Sequence, residues 1–235
     1  MTSGDSLLGQ NIACSNTGTY VTMCASGCIY VSSNTGTSFT LTTLTTVPYA
    51  VCMSSTGQYQ LVCSTGVSAS NLYVSINYGA TWTTNQSVST NNATQWIESI
   101  TMSANGLYMY AGGGGGAGCA SYYSTNYGST WTSTGSSTLY NRTSSIINNT
   151  TYLTYFIDTL NNKVGNTLLT ATTPTESVVS SSFTGTNRIA TDGNGNIVYF
   201  GSTNTSYAYS SNGGTSFTAG TLPVIMKEIF TEIDE

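Results

Sequence analysis

Ser32-Ser33-Asn34-Thr35-Gly36-Thr37-Ser38-Phe39 has the form S-x-N-x-G-x-x-aromatic, and the form returns three times. The copies set Ser75, Asn77, Gly79 and Trp82, then Ser124, Asn126, Gly128 and Trp131, then Ser210, Asn212, Gly214 and Phe217 at the same offsets. Successive serines stand 43, 49 and 86 residues apart, and 86 is twice 43, so a further copy belongs near residue 167. Thr167-Leu168-Leu169-Thr170-Ala171-Thr172-Thr173-Pro174 reads as that copy in degenerate form, without the glycine and ending in Pro174. A fixed period of this length marks a repeat architecture.

A weaker motif precedes each octet. It runs Ser15–Tyr20, Ser54–Tyr59 and Ser103–Tyr108, with later versions at Asn148–Tyr152 and Asp192–Ile197. Each is a polar turn followed by alternating residues, such as Tyr59, Leu61 and Cys63, which is a hairpin signal. Every unit therefore predicts an apolar strand (Tyr49–Met53, Trp96–Met102), a turn, a second strand, a linker, a third strand ending at the octet and a fourth beyond it. Four strands in each repeat is the pattern of a propeller blade. The reading is an all-β propeller over residues 1–220, with five blades of four antiparallel strands between residue 11 and about 220 and six blades as the alternative.

Within the octet, glycine supplies a positive φ at low cost. The asparagine side chain closes the turn on backbone two residues on, the serine hydroxyl adds a second local bond, and the aromatic packs beneath. Every interaction asked of the octet is local, so its residues read as a folding device and not as an active site.

These octets resemble the Asp-box, or BNR repeat, of sialidases, sortilin-type receptors and photosystem assembly propellers. The resemblance implies that the octets lie on the turn between strands 3 and 4 at the outer rim, away from the axis. One departure is systematic: Asn34, Asn77, Asn126 and Asn212 stand where that family carries Asp. The resemblance to sialidases would also imply three arginines gripping a substrate carboxylate, a tyrosine nucleophile and a supporting acid. The chain has two arginines, Arg142 and Arg188, so no such cluster can be assembled.

Composition narrows the remaining classes. Of 235 residues, 4 are Lys or Arg, 9 are Asp or Glu and none is His, while 34 Ser, 43 Thr and 21 Asn supply neutral hydrogen-bonding groups. Four basic residues cannot neutralise a row of phosphates, which argues against nucleic acid as a partner. No run of 18 apolar residues exists to span a membrane. The first residues, Met1-Thr2-Ser3-Gly4-Asp5-Ser6, lack the basic and apolar regions of a secretory signal. Without histidine, Ser-His and Cys-His nucleophile pairs and most zinc sites are out of reach.

No catalytic, cofactor-binding or metal-ligating residue is assigned. Between residues 6 and 220 the acids are Glu98, Asp158, Glu176 and Asp192. Glu98 falls on an inner strand where it could face the axial channel, and it reads as a solvated residue; Asp158 and Glu176 read as surface residues. Asp192-Gly193-Asn194-Gly195-Asn196 has the opening of a calcium loop without the later bidentate Glu, and reads as a turn. Of Cys14, Cys24, Cys28, Cys52, Cys63 and Cys119, Cys24 and Cys63 recur four residues after Tyr20 and Tyr59, as small core residues do. Free thiols are expected, with a Cys24–Cys28 bridge across a hairpin as the alternative. Gly112–Gly116 reads as a flexible loop with a mobile tip. Asn85, Asn92, Asn141, Asn148, Asn149 and Asn204 head Asn-x-Ser/Thr triplets, which a chain this rich in those residues acquires by chance.

Residues 221–235 differ in kind. They hold 5 of the chain's 13 charges, and Ile225, Met226, Ile229, Phe230 and Ile233 form an amphipathic helical stripe. The segment reads as a clasp that closes the propeller or as a helix that docks on a partner. The function expected is a non-enzymatic structural or attachment propeller on a particle surface, a virion capsid-associated or fibre component with capsid proteins as partners. A carbohydrate-binding, lectin-like propeller is the alternative, and a glycosidase centred on Glu98 the third reading.

Overall fold

The computed structural model describes residues 11–25, 27–44, 46–64, 69–89, 96–114, 120–134, 142–147, 152–158, 163–171, 177–180, 186–191, 197–201, 206–212 and 216–221. All regular elements among them are strands. Sheet 1 comprises β1 (Asn11–Cys14), β2 (Val21–Ala25), β3 (Cys28–Ser32) and β4 (Thr40–Leu41). Sheet 2 comprises β5 (Pro48–Met53), β6 (Gln60–Ser64), β7 (Ala69–Ser75) and β8 (Thr83–Ser89), and sheet 3 β9 (Trp96–Met102), β10 (Met109–Gly114), β11 (Tyr122–Ser124) and β12 (Thr132–Ser133). Sheet 4 holds β13 (Arg142–Ile147), β14 (Leu153–Asp158), β15 (Lys163–Leu168) and β16 (Ser177–Ser180), and sheet 5 β17 (Thr186–Thr191), β18 (Ile197–Gly201), β19 (Ser206–Ser210) and β20 (Thr218–Thr221).

Each sheet is an antiparallel meander in chain order. First strands stand side by side, β1 with β5, β5 with β9, β9 with β13 and β13 with β17, so the sheets radiate from one line. This is propeller architecture. Because every sheet repeats one up-and-down path, the turns after its first and third strands share one end of the molecule. The connections after its second and fourth strands share the other.

The core lies between sheets. In sheet 2 the cross-strand row Val51, Val62 and Tyr73 packs with Cys24 and Ile29 of sheet 1. The alternate residues Ala50, Leu61, Cys63, Leu72 and Val74 pack with Ile97, Ile100, Met102 and Met109 of sheet 3. Period-two alternation thus points each sheet at both neighbours, and β6 is buried along its whole length. Tyr110 and Phe156 join sheets 3 and 4, their rings 5.6 Å apart, and Tyr155, Ile157, Ile189 and Ala208 join sheets 4 and 5.

Two sequence expectations change here. Gly112–Gly114 belong to β10, paired with Ser99, Ile97 and Trp96, so this part of the glycine run is sheet, because backbone pairing needs no side chain. Gly115 and Gly116 lie outside the described residues. In sheet 4, Leu168 pairs with Leu153 as Ser32 pairs with Val21 and Ser75 with Gln60. Strand pairing therefore puts Leu168, and not Thr167, in the serine's place, and the turn closes from Ala171 N–H to the Leu168 carbonyl, 3.2 Å. Pro174 lies outside the described residues.

Candidate functional site: the octet corners

The octets sit where the sequence implies, between the third and fourth strands of sheets 1, 2, 3 and 5. The geometry repeats almost atom for atom. Ser124 Oγ accepts from Gly128 N–H at 2.9 Å and from Asn126 N–H at 3.4 Å, and donates to Asn126 Oδ1 at 3.0 Å. Asn126 Oδ1 also accepts from Thr130 N–H, 2.9 Å, while Asn126 Nδ2 donates to Thr130 Oγ1, 2.8 Å. Ser32–Asn34–Ser38 and Ser75–Asn77–Thr81 reproduce the set, and Ser210–Asn212–Ser216 reproduces its serine and asparagine side-chain bonds. The asparagine thus closes on backbone four residues on, not two, because it spans the whole turn. Its carboxamide suits a site that needs an acceptor and a donor at once, and every octet carries Ser or Thr to receive that donor.

Gly36, Gly79 and Gly128 hold φ of 77°, 81° and 76°, as expected of the octet glycine. The residues before them, Thr35, Tyr78 and Tyr127, are also positive, at 59°, 61° and 58°. Two successive positive φ values closed by an N–H to carbonyl bond, such as Ser129 to Asn126 at 3.1 Å, are the signature of a type I′ turn. The indoles cap the corner: Trp82 Nε1 donates to the Gly79 carbonyl at 3.0 Å and Trp131 Nε1 to that of Gly128 at 3.1 Å. Trp82, Trp131 and Phe217 then pack on core clusters between sheets. Gly214 lies outside the described residues.

The weaker sequence motif forms an equally bonded corner between first and second strands. Ser15, Ser54 and Ser103 Oγ accept from Tyr20, Tyr59 and Tyr108 N–H at 3.0, 3.1 and 3.0 Å. These corners join one another. Asn16 N–H donates to the Ser55 carbonyl at 2.8 Å, and Ser55 N–H to the Ala104 carbonyl at 2.7 Å. Each tyrosine reaches into the next sheet: Tyr20 stacks on Tyr78 at 4.4 Å and Tyr59 on Tyr127 at 4.5 Å. Gly57 and Gly106 make room, since a Cβ there would stand 2.8 Å from Tyr20 and 2.6 Å from Tyr59. Sequence reasoning missed these inter-sheet pairs; the recurrent tyrosine at octet position four in sheets 2 and 3 was the signal.

The other candidates fall as follows. Glu98 lies in β9 between Ile97 and Ser99, whose partners Gly113 and Gly112 are consecutive, so it has no partner in the register. Arg142 pairs in register with Asp158, and Asp158 with Lys163. Glu176, Asp192, Cys119 and the stripe Ile225, Met226, Ile229, Phe230 and Ile233 lie outside the described residues. Cys14, Cys24, Cys28, Cys52 and Cys63 are free. Cys24 shares a face with its partner Ile29, while Cys28, next to Ile29, projects from the other face, so the hairpin bridge is excluded by geometry. Burial pushes the thiols of Cys24 and Cys63 up to about 12 and that of Cys52 well above its ordinary value. These thiols are core groups and poor nucleophiles at neutral pH. Among the described residues no three Cys, Asp or Glu side chains gather to hold a metal ion, and no helix is long and apolar enough to cross a membrane.

No protein-family model matches the chain, and no curated protein matches it. Solved structures do. Regucalcin, a calcium-binding protein from Agrobacterium tumefaciens, superposes with a TM-score of 0.64 at 16% identity, over 95% of this chain and 77% of that one. YCF48 bound to D1 peptide gives 0.59 at 12% identity, over 90% and 66%. The Niastella koreensis GH74 enzyme gives 0.60 at 17% identity, over 89% and 31%. The chain thus spans less than two thirds of the length of the latter two. All three are β-propellers of unlike activity, and the likeness is one of fold.

Proposed function

We propose that the chain is a five-bladed, non-enzymatic propeller that serves as a structural or attachment module on the outside of a particle, a virion above all. The observation that carries this reading is the closure of the octet corners. All four octets spend their serine and asparagine groups on their own turn. The octets are in this reading an Asp-box variant whose uncharged Asn keeps the corner shut without adding charge. What remains for partners is a neutral surface rich in hydroxyl and amide groups, with 6% charged residues in the whole chain. Such a surface binds through hydrogen bonds and shape, with little dependence on salt.

Proteins of this fold engage partners in other settings, as YCF48 does with a D1 peptide. The segment 221–235 is the docking element in this reading. Mass spectrometry of purified particles tests it: the chain should be present in fixed ratio to the major shell protein. Deletion of residues 224–235 should release it from particles while leaving it folded. Absence from particles would refute the reading.

A second reading, a carbohydrate-binding propeller, is favoured by the 17 Tyr and 3 Trp of the chain among its many hydroxyl and amide groups, a set suited to stacking on sugars and bonding their hydroxyls. A glycan array decides it, with no binding to any immobilised glycan as the refuting result.

A further inference from the structure

We propose that copies of this chain bind one another head to tail, sheet 1 of one copy on sheet 5 of the next. The inference goes beyond the particle reading and stands without it. Ala13, Cys24, Ile29 and Val31 of sheet 1 pack towards sheet 2, so strand alternation sends Ile12, Met23 and Tyr30 to the opposite face. The register aligns Ile12, Met23, Tyr30 and Leu41 in one row across all four strands. At the same offsets from the corner residues, Val51, Val62 and Tyr73 of sheet 2 are buried against sheet 1, and Ile100 and Ala111 of sheet 3 against sheet 2. In sheet 1, by contrast, Ile12 is 64% exposed and Leu41 53%.

Two further observations mark this face. An antiparallel sheet with one face in water carries polar residues there, yet β1, β2 and β3 present Ile12, Cys14, Val21, Met23, Cys28 and Tyr30 on it. The octet aromatics Trp82, Trp131 and Phe217 each pack on the cluster between their own sheet and the preceding one. Phe39, the fourth, joins none of the clusters among the described residues. Sheet 1 is thus built as an interior sheet, with a neighbour due on each side. Among the described strands, β17 does not stand beside β1 as the other successive first strands stand beside one another.

Sheet 5 supplies the matching surface. Ala208 packs towards sheet 4, so Tyr207 and Tyr209 project from the other face, where Tyr209 is 42% exposed. Tyr209 stands where Val31, Val74 and Tyr123 pack onto the following sheet in sheets 1, 2 and 3. Sheet 1 of a second copy therefore continues between molecules the packing that is repeated within one. Charge does not oppose the contact: residues 6–97 hold no charged residue, and the strands of sheet 5 hold one, Arg188. The face is small, about 300 Å² for four strands about 4.8 Å apart and about five residues long, which makes the contact a weak one. Because its two surfaces differ, contacts run on from copy to copy and do not stop at a pair.

Sedimentation velocity of the full chain between about 5 and 500 µM tests this, with half-association expected at about 100 µM and masses beyond a dimer above it. Ile12→Lys in sheet 1 and Tyr209→Lys in sheet 5 should each stay monomeric alone, with unchanged circular dichroism. An equal mixture of the two should form a dimer and nothing larger, since one intact contact remains. Leu41→Lys or Thr218→Lys replaces a variant that fails to fold, being the register partner of Tyr30 or of Tyr209. Tyr209→Lys that still pairs alone would mean that sheet 1 meets sheet 1, which overturns the head-to-tail contact. A monomeric full chain beside an associating chain ended at Thr221 overturns it too, and makes residues 222–235 the cover of sheet 1. Monomers in both cases overturn the inference outright.

Discussion

The ring of Tyr108 lies 4.3 Å from that of Tyr152, tilted by 33°, and Tyr152 holds a φ of 55°. The same pairing joins sheets 1 and 2 through Tyr20 and Tyr78 and sheets 2 and 3 through Tyr59 and Tyr127, each time onto a residue of positive φ. In sheets 2 and 3 that residue belongs to the octet turn. In sheet 4, where the octet is degenerate, it comes from the turn between the first two strands. The aromatic contact between neighbours is retained although its supplier changes.

Stacking of this kind should be measurable. A double-mutant cycle on Tyr59 and Tyr127 is expected to give a coupling of about 0.5–1.5 kcal/mol by denaturant unfolding. Tyr127→Gly should be less destabilising than Tyr127→Ala by about 1 kcal/mol, because glycine meets a φ of 58° without strain. Equal costs for the two would show that the backbone at this corner relaxes.

Glycine substitutions separate backbone strain from the insertion between sheets. Gly18 and Gly106 hold φ of 69° and 77°, but a Cβ at Gly18 meets nothing within 4 Å and one at Gly106 meets Tyr59 at 2.6 Å. Gly18→Ala should cost about 1–2 kcal/mol for conformation alone. Gly106→Ala should cost about 1–3 kcal/mol more, since the tyrosine must leave its place. Thermal unfolding of the two variants side by side makes the comparison.

The octet chemistry predicts which changes it tolerates. Ser124→Ala strands the Gly128 N–H inside the corner and should cost about 1–3 kcal/mol. Asn126→Asp should cost under about 1 kcal/mol, because the Thr130 hydroxyl can reverse and donate to the carboxylate. Asn126→Leu lacks both roles and should approach the serine variant. An Asp variant as damaging as Leu would mean that the carboxamide donor is indispensable.

The buried thiols set an alkaline limit. The pKa of Cys24 and Cys63 rises from 9.0 in the absence of burial to about 12 in the fold. Folding therefore favours the protonated thiol. The stability it contributes is complete below about pH 9 and is lost as pH climbs from 9 towards 12. The melting temperature should fall over that range, less so in a Cys24→Ala, Cys63→Ala double variant. At neutral pH a thiol reagent followed by peptide mapping should label exposed Cys14 in the native protein, and Cys24 and Cys63 only after denaturation.

What the sequence alone determined lies within about eight residues. The octets and the serine–glycine–tyrosine turns announce closed corners, although the asparagine's reach of four residues showed only in the fold, and their period sets four strands to a sheet and five sheets along the described chain. It also showed Cys24 and Cys63 as core residues, since both fall on the apolar face of a second strand. Only the tertiary structure decided the remainder. That Gly112–Gly114 form sheet depends on Trp96–Ser99 offering their backbone; that Tyr20 belongs with Tyr78 depends on the sheet between them in sequence folding back beside the first. The bulges at Tyr49, Glu98, Thr143 and Asn187 likewise appear only when two strands are laid in register. Pairing and stacking join residues tens of positions apart, and a local pattern carries no record of which surfaces will meet.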